Sequence, residues 1–282
     1  MRKALRVLRR VISASWKPLM AASALAAIDA YWEPSQLRMR RVAVPLEPRW
    51  GQFSGLRLAH LSDLHVGGRG WRPGTIARAI ETCNRADVHL VAITGDLISG
   101  VAGVATVLEM LAALRTDVPR FAVLGNHDHV YGGRALHVLL RGLRSLGIVV
   151  LRNRALPADL PAGRVWLAGV DDGYSMRDDL ARLRRDLEDD GAPRLLLTHY
   201  PDVADWLRPG EVQLSLAGHS HGGQIRLPVV TSLVHNGHAR TKYASGLYWV
   251  NDNPLYVNAG LGTSGAPLRF RNWPEVAIVE FA

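Results

Sequence analysis

Seven side chains able to bind divalent cations fall in five short clusters: Ser62-Asp63-Leu64-His65, Gly95-Asp96, Gly125-Asn126-His127-Asp128, Thr198-His199-Tyr200 and Gly218-His219-Ser220-His221. Each cluster follows an apolar, strand-like run, respectively 56–61, 89–94, 121–124, 194–197 and 212–217. Asp, Asn and His are poor residues for a strand interior, so their position just past each run predicts loops at strand ends. Open α/β sheets bind their ligands there. Asp63 and His65, two apart, point to the same side of an extended strand end and can grip one cation together. Asp96 follows a glycine that permits a tight turn, and its oxygens can bridge two cations. Asn126 offers a neutral oxygen to the second cation. His199, His219 and His221 add imidazoles, and the turn before Gly222-Gly223 leaves open whether His219 and His221 serve one cation or two.

The donors are nitrogen and oxygen without sulfur, which suits two divalent metal ions, Mn²⁺ foremost and also Fe²⁺, Zn²⁺ or Mg²⁺. Two ions about 3.5–4 Å apart stabilise both the attacking and the leaving oxygen of an in-line displacement, and a hydroxide shared between them acts near neutral pH. His127 then faces the substrate, stabilises developing charge and protonates the leaving oxygen. Asp128 is expected to accept a hydrogen bond from His127 and fix its tautomer. A lone Asp-x-His or Gly-Asp is a common accident, and Gly-Asn-His-Asp alone is often a polar turn. Five such clusters, each at a strand end, decide for a metal centre. His60, His89 and His137 sit inside element patterns and are read as structural. His129 is close enough to support the site from behind, and His235 and His238 lie in a loop that can reach substrate.

These residues need a scaffold. Residues 38–46 alternate in the manner of an edge strand. Strand patterns at 88–94, 121–124, 148–151 and 165–170 are interleaved with helical patterns at 75–86, 104–114, 134–146 and 178–187. From Leu195 onward short strands dominate, with turns at Pro209-Gly210, Gly222-Gly223, Asn236-Gly237 and 251–254. An alternating first half and a strand-rich second half predict an α/β protein of two packed sheets with helices outside. With 282 residues, the chain has room for one large domain, expected over 50–282 after a distinct leader over 1–49. The single cysteine, Cys83, excludes a disulfide framework and a thiolate metal cage. Inside the helix pattern 75–86 it reads as a small buried hydrophobe.

The net charge of +9 is concentrated at the start: Arg2, Lys3, Arg6, Arg9, Arg10 and Lys17 all precede the first acid, Asp29. The remainder carries only three of those nine charges, so nucleic acid is not an expected partner. Leu5, Leu8, Ile12, Trp16 and Leu19 recur at helical spacing opposite the basic residues, the pattern of an amphipathic helix on an anionic membrane surface. The apolar run at 18–28 is about half of the ~20 residues a spanning helix requires. An interfacial anchor, a secretory signal of twin-arginine type through Arg9-Arg10 and a short spanning or merely structural helix therefore compete. An interfacial helix leaves the catalytic region on the cytoplasmic face, whereas a span places it outside.

In the order D-x-H, G-D, G-N-H-D, T-H and G-H-x-H, the clusters resemble those of the calcineurin-like metallophosphoesterases, over about residues 54–282. The resemblance implies a four-layer αββα sandwich of two mixed β-sheets flanked by helices. It implies one metal held by Asp63, His65, Asp96 and His221 and a second by Asp96, Asn126, His199 and His219. His127 would be the catalytic histidine and Asp128 its orienting partner. No member of the set is missing. Residues 218–225, Trp32-Glu33-Pro34, Gly260-Leu261-Gly262 and Arg269-Phe270 are similar to a bacterial membrane-associated branch. That branch holds phosphodiesterases and some UDP-2,3-diacylglucosamine pyrophosphatases of lipid A synthesis. The implied substrate is a phosphodiester or diphosphate, small or lipid-linked.

On the substrate side, Arg269 and Arg271 are candidates to meet phosphate, and Trp71 and Trp206 to form an apolar rim. Two rival functions follow from the same residues. A nuclease needs a basic groove that the composition of the catalytic region does not favour. A non-catalytic metal-binding scaffold has no use for His127, and that residue is present.

Overall fold

The computed structural model describes residues 16, 18, 20–227 and 241–282. The leader residues before 16 and the loop histidines His235 and His238 lie outside this set.

Apolar residues facing both ways along the central strands produce a layered structure. In β2 (Arg57–Leu61) and β3 (Leu90–Thr94), Leu58, Leu90 and Ala92 face one core, while Ala59, Leu61, Val91 and Ile93 face another. This alternation, apolar on both faces, is what a sheet covered on both sides demands. The first sheet has the order β1-β12-β2-β3-β4-β5, with β1 at Arg38–Val44, β4 at Arg120–Val123, β5 at Ile148–Val150 and β12 at Glu275–Phe281. Strands β2 to β5 run parallel, β12 is antiparallel to β2, and β1 forms the edge parallel to β12. The second sheet has the order β10-β11-β9-β8-β7-β6. Its members are β6 (Arg154–Leu160), β7 (Gly163–Gly169), β8 (Arg194–Leu197), β9 (Leu214–Ala217), β10 (Gly246–Val250) and β11 (Asn253–Val257). Here β7, β8, β9 and β11 run parallel, with β6 and β10 antiparallel at the two edges.

Three cores separate four layers. Ile76, Val107 and Leu139 on the helices α2 (Pro73–Arg85), α3 (Gly103–Ala112) and α5 (Gly132–Ser145) pack against the outer face of the first sheet. Leu58, Phe121, Leu167, Leu195, Leu214 and Phe281 fill the space between the sheets. Leu183 of α6 (Leu180–Asp186) and Val203 of the 3₁₀ turn Pro201–Trp206 cover the far face of the second sheet. The expected α/β sandwich of two mixed sheets between helices is therefore present. Cys83 is buried in the first of these cores, and burial pushes its thiol up to about 12.

Two elements differ from expectation. Strand β6 was not anticipated because Pro157 interrupts its pattern, and a proline is tolerated only where the ladder has an open edge. The stretch Asn126–Val130, which reads as a polar turn, is a short helix, α4. The helix α1, over 20–32, leaves Met20, Leu25, Ile28, Tyr31 and Trp32 exposed. It meets the body at its last turn, where the Ala30 carbonyl accepts from the Arg269 amide at 3.0 Å. Among the described residues, no helix is long and apolar enough to cross a membrane.

Candidate metal centre

The parallel strands bring five strand ends to one edge of the sandwich: β2, β3 and β4 from the first sheet, β8 and β9 from the second. Each is followed by one of the clusters. Backbone geometry then turns the side chains inward. Asp63, His65, Asp96, His219 and His221 all have φ between 48° and 69°, the left-handed region that non-glycine residues seldom adopt. Such conformations persist only where the surrounding structure imposes them, and they concentrate at functional sites. Gly95 contributes by having no side chain: a Cβ there would lie 2.6 Å from the Gly125 nitrogen and 2.8 Å from His199 Nδ1.

The donors form two adjoining sets. In one, His65 Nε2 lies 2.9 Å from His221 Nε2 and 3.5 Å from Asp96 Oδ2, and His221 Nε2 lies 3.4 Å from Asp63 Oδ1. In the other, His199 Nε2 lies 3.3 Å from Asp96 Oδ2 and 3.2 Å from His219 Nδ1, which is 3.1 Å from Asn126 Oδ1. Ligands held about 2.0–2.1 Å from a small divalent cation are separated from one another by about 2.8–3.4 Å, so both sets come close to the spacing of a coordination shell. Asp96 Oδ2 belongs to both. Its other oxygen is occupied, accepting the His127 amide at 2.9 Å.

The second ring nitrogens of His199 and His65 are fixed from behind, as metal-ligating histidines require. His199 Nδ1 is 2.8 Å from the Thr94 carbonyl, which sets the tautomer that leaves Nε2 free for a cation. His65 Nδ1 is 2.6 Å from Ser99 Oγ. Asp63 accepts from Ser62 Oγ at 2.6 Å and from the His219 amide.

Burial sets the protonation of this cluster. It lowers the His65 imidazole to about 3 and the His221 imidazole well below its ordinary value. It raises Asp63 to about 6. For His199 burial acts downward, but the Asp96 and Asp63 carboxylates outweigh it and push the imidazole up to about 10. Asp96 is correspondingly held well below the usual carboxylate range, against its own burial, chiefly by His199. A proton on His199 is thus what a cation would replace.

A cavity of about 520 Å³ opens from the donors, lined by His127, Tyr174, His219, Gln224, Ile225 and Ala266 among others. His127 stands edge-on to His65, ring centroids 4.7 Å apart, and its buried Nδ1 has no hydrogen-bond partner. Tyr174 was not anticipated. Its ring lies 4.8 Å from that of His219, and it follows the end of β7 just as the other clusters follow their strands. The same strand-end rule, carried past residue 170, finds it.

The sequence profile of the calcineurin-like phosphoesterases matches residues 56–223. The chain belongs to this family. It is 31% identical over 78% of its length to 82% of the "uncharacterized metallophosphoesterase YkoQ" of Bacillus subtilis (strain 168). It is 30% identical over 80% of its length to 79% of YkuE from the same organism. To 89% of "phosphodiesterase YaeI" of Escherichia coli (strain K12) it is 29% identical, over 83% of its own length. A calcineurin-like phosphoesterase is a metal-dependent phosphoester hydrolase, and the buried Asp and His clusters are this chain's candidates for holding the metal.

Within this calcineurin-like phosphoesterase, the expected roles of five residues change: Asp128, Arg269, Arg271, Trp71 and Trp206. Asp128 makes no contact with the unpartnered His127 Nδ1. Its buried carboxylate accepts instead from the amides of Leu97 (2.9 Å), Ile98 (3.2 Å) and Gly125 (3.0 Å), tying together the loops that carry Asp96 and Asn126. Arg269 cannot reach substrate. It is fully buried, and its guanidinium donates to the carbonyls of Ala259, Gly260, Gly262 and Asn272. Trp71 packs on the helix-side core rather than lining the cavity. Trp206 and Arg271 are exposed and also outside the cavity lining, so Arg271 does not meet substrate at the metal centre. His129 pairs with Asp171 at 2.6 Å, and Asp171 with Arg152 at 2.8 Å. His60 and His89 are bound to Thr94 Oγ1 and to the Arg57 amide, which are structural roles.

Proposed function

We propose that this chain is a phosphodiesterase working at a membrane surface through two divalent cations, Mn²⁺ foremost. Asp63, His65, Asp96 and His221 would hold one cation, and Asp96, Asn126, His199 and His219 the other. The single observation that carries the reading is the position of Asp96 Oδ2, within 3.5 Å of His65 Nε2 and 3.3 Å of His199 Nε2, one oxygen common to two donor sets. Cations held there would supply Lewis-acid charge to the phosphoryl oxygens and lower the pKa of a water.

The chain's own residues do the rest. His127, at the cavity wall with a ring nitrogen within 4.8 Å of donor atoms of His65 and Asp96, donates a proton to the departing alkoxide oxygen. Asp128 keeps the backbone of the Asp96 and His127 loops in register. Tyr174, Ile225 and Ala266 offer an apolar wall to the alcohol portion of the substrate and keep water away from the reacting phosphorus. A phosphodiester is favoured by the likeness to YaeI, whose name is that of a phosphodiesterase. The membrane setting is supported by the basic leader and by the exposed apolar residues of α1.

Purified protein given phosphomonoesters, phosphodiesters and a UDP-linked diacyl sugar, each with Mn²⁺, Zn²⁺ or Mg²⁺, tests this. Brisk diester hydrolysis is expected. UMP release from the UDP-lipid without any diester hydrolysis would replace the reading with that of a pyrophosphatase of lipid A synthesis.

A further inference from the structure

A second cavity, of about 330 Å³, lies behind the turn that carries His221 and is lined by Arg38, Arg40, Arg226 and Arg271 against one acid, Glu275. That acid is already engaged. Its Oε1 accepts from the Tyr256 hydroxyl at 2.7 Å and from the Ala259 amide at 3.1 Å, and its Oε2 is 3.9 Å from Arg40. Arg38 Cζ lies over the Trp273 ring, 3.3 Å from its centroid, which holds the guanidinium without neutralising it. Arg226 donates Nε to the Gly222 carbonyl at 3.0 Å and a terminal nitrogen to Ser245 Oγ. Arg271 has a φ of 55°, and the Glu33 carboxylate accepts the amides of Arg271 and Asn272. Among the described residues neither Arg38 nor Arg271 has a carboxylate partner, and the residues outside that set contain no Asp or Glu.

Like charges gathered around a concavity repel one another unless an anion joins them, and the guanidinium fork matches phosphate oxygens bidentately. We propose that this pocket binds a phosphate group, separately from the metal centre, the best source being the headgroup of an anionic lipid. Its location favours that source. The loop carrying Arg271 is fastened to the end of α1 through Glu33 and Ala30, beside the exposed Tyr31 and Trp32. A phosphate seated there would hold the enzyme at the bilayer by contacts that do not involve the leader.

The test uses the full-length, Mn²⁺-loaded protein and the Arg38→Gln/Arg271→Gln variant, whose side chains are exposed and lie outside the metal centre. Three measurements are made: sedimentation with phosphatidylglycerol-containing vesicles, calorimetric titration with glycerol 3-phosphate, and hydrolysis of a soluble nitrophenyl phosphodiester. Hydrolysis is expected to be unchanged, which shows the variant folded and makes the result independent of the proposed catalytic function. Vesicle affinity is expected to fall about twenty-five-fold, roughly fivefold for each arginine removed. Loss of glycerol 3-phosphate binding with vesicle binding intact would keep the site and name a soluble phosphate as its ligand. If both affinities match those of the wild type, the site does not exist.

Discussion

His65 Nε2 and His221 Nε2 face each other at 2.9 Å, although 156 residues separate them in the chain. Burial holds both imidazoles neutral. His65 Nδ1 is bonded to Ser99 Oγ, and His221 Nδ1 is buried without a partner. One neutral ring can donate its N–H to the other at this distance, and a cation accepting a lone pair from each would replace that shared proton.

Ser99 should therefore matter to metal binding without touching metal. Ser99→Ala removes the group that orients His65, and is expected to weaken metal affinity by roughly 10–100-fold. Titration of the metal-free protein with Mn²⁺ checks this, and an unchanged affinity contradicts it.

His127→Ala is expected to leave metal content at the wild-type level and to lower turnover by roughly 10²–10⁴. Elemental analysis alongside diester kinetics separates the two effects. Loss of metal would move His127 into the ligand set, to which its closeness to His65 makes it the nearest outsider.

Much of this centre was legible in the sequence, because strand ends are where polar residues interrupt apolar runs, and all seven expected ligands do converge. What was hidden has physical reasons. The left-handed φ of Asp63, His65, Asp96, His219 and His221 has no signature in side chains that are not glycine. Arg269 reads as a cation open to substrate phosphate because arginines are rarely buried, and only the carbonyls of a loop folded around it reveal otherwise. Asp128 sits beside His127 in sequence, yet the helical start of α4 turns it toward the amides of Leu97 and Ile98, some thirty residues earlier. Strand β6 was masked by Pro157. Contacts of this kind depend on the assembled sandwich and leave no local pattern.

Asp128→Asn tests that reassignment through stability. The new amide nitrogen confronts a backbone N–H that the carboxylate now satisfies, at a cost of about 1–3 kcal/mol. Urea unfolding of the metal-free protein is the measurement. A variant as stable as the wild type would mean that the three amides have other partners.

His60 makes stability depend on pH. Burial lowers its folded value from 6.5 to about 3. Between those limits the unfolded chain holds one more proton than the folded one, so stability is complete above pH 6.5 and is lost as the pH falls toward 3. In metal-free protein, His60→Gln is expected to flatten this dependence by about 1.4 kcal/mol per pH unit within the window. Parallel stability curves for variant and wild type would show that His60 is not buried in its neutral form.

The proposed mechanism stands on two cations sharing Asp96. Anomalous scattering from crystals soaked in Mn²⁺ locates them. Two peaks per chain are expected, one among Asp63, His65 and His221 and one among Asn126, His199 and His219, with Asp96 between them. A single peak, or none at saturating Mn²⁺, contradicts it.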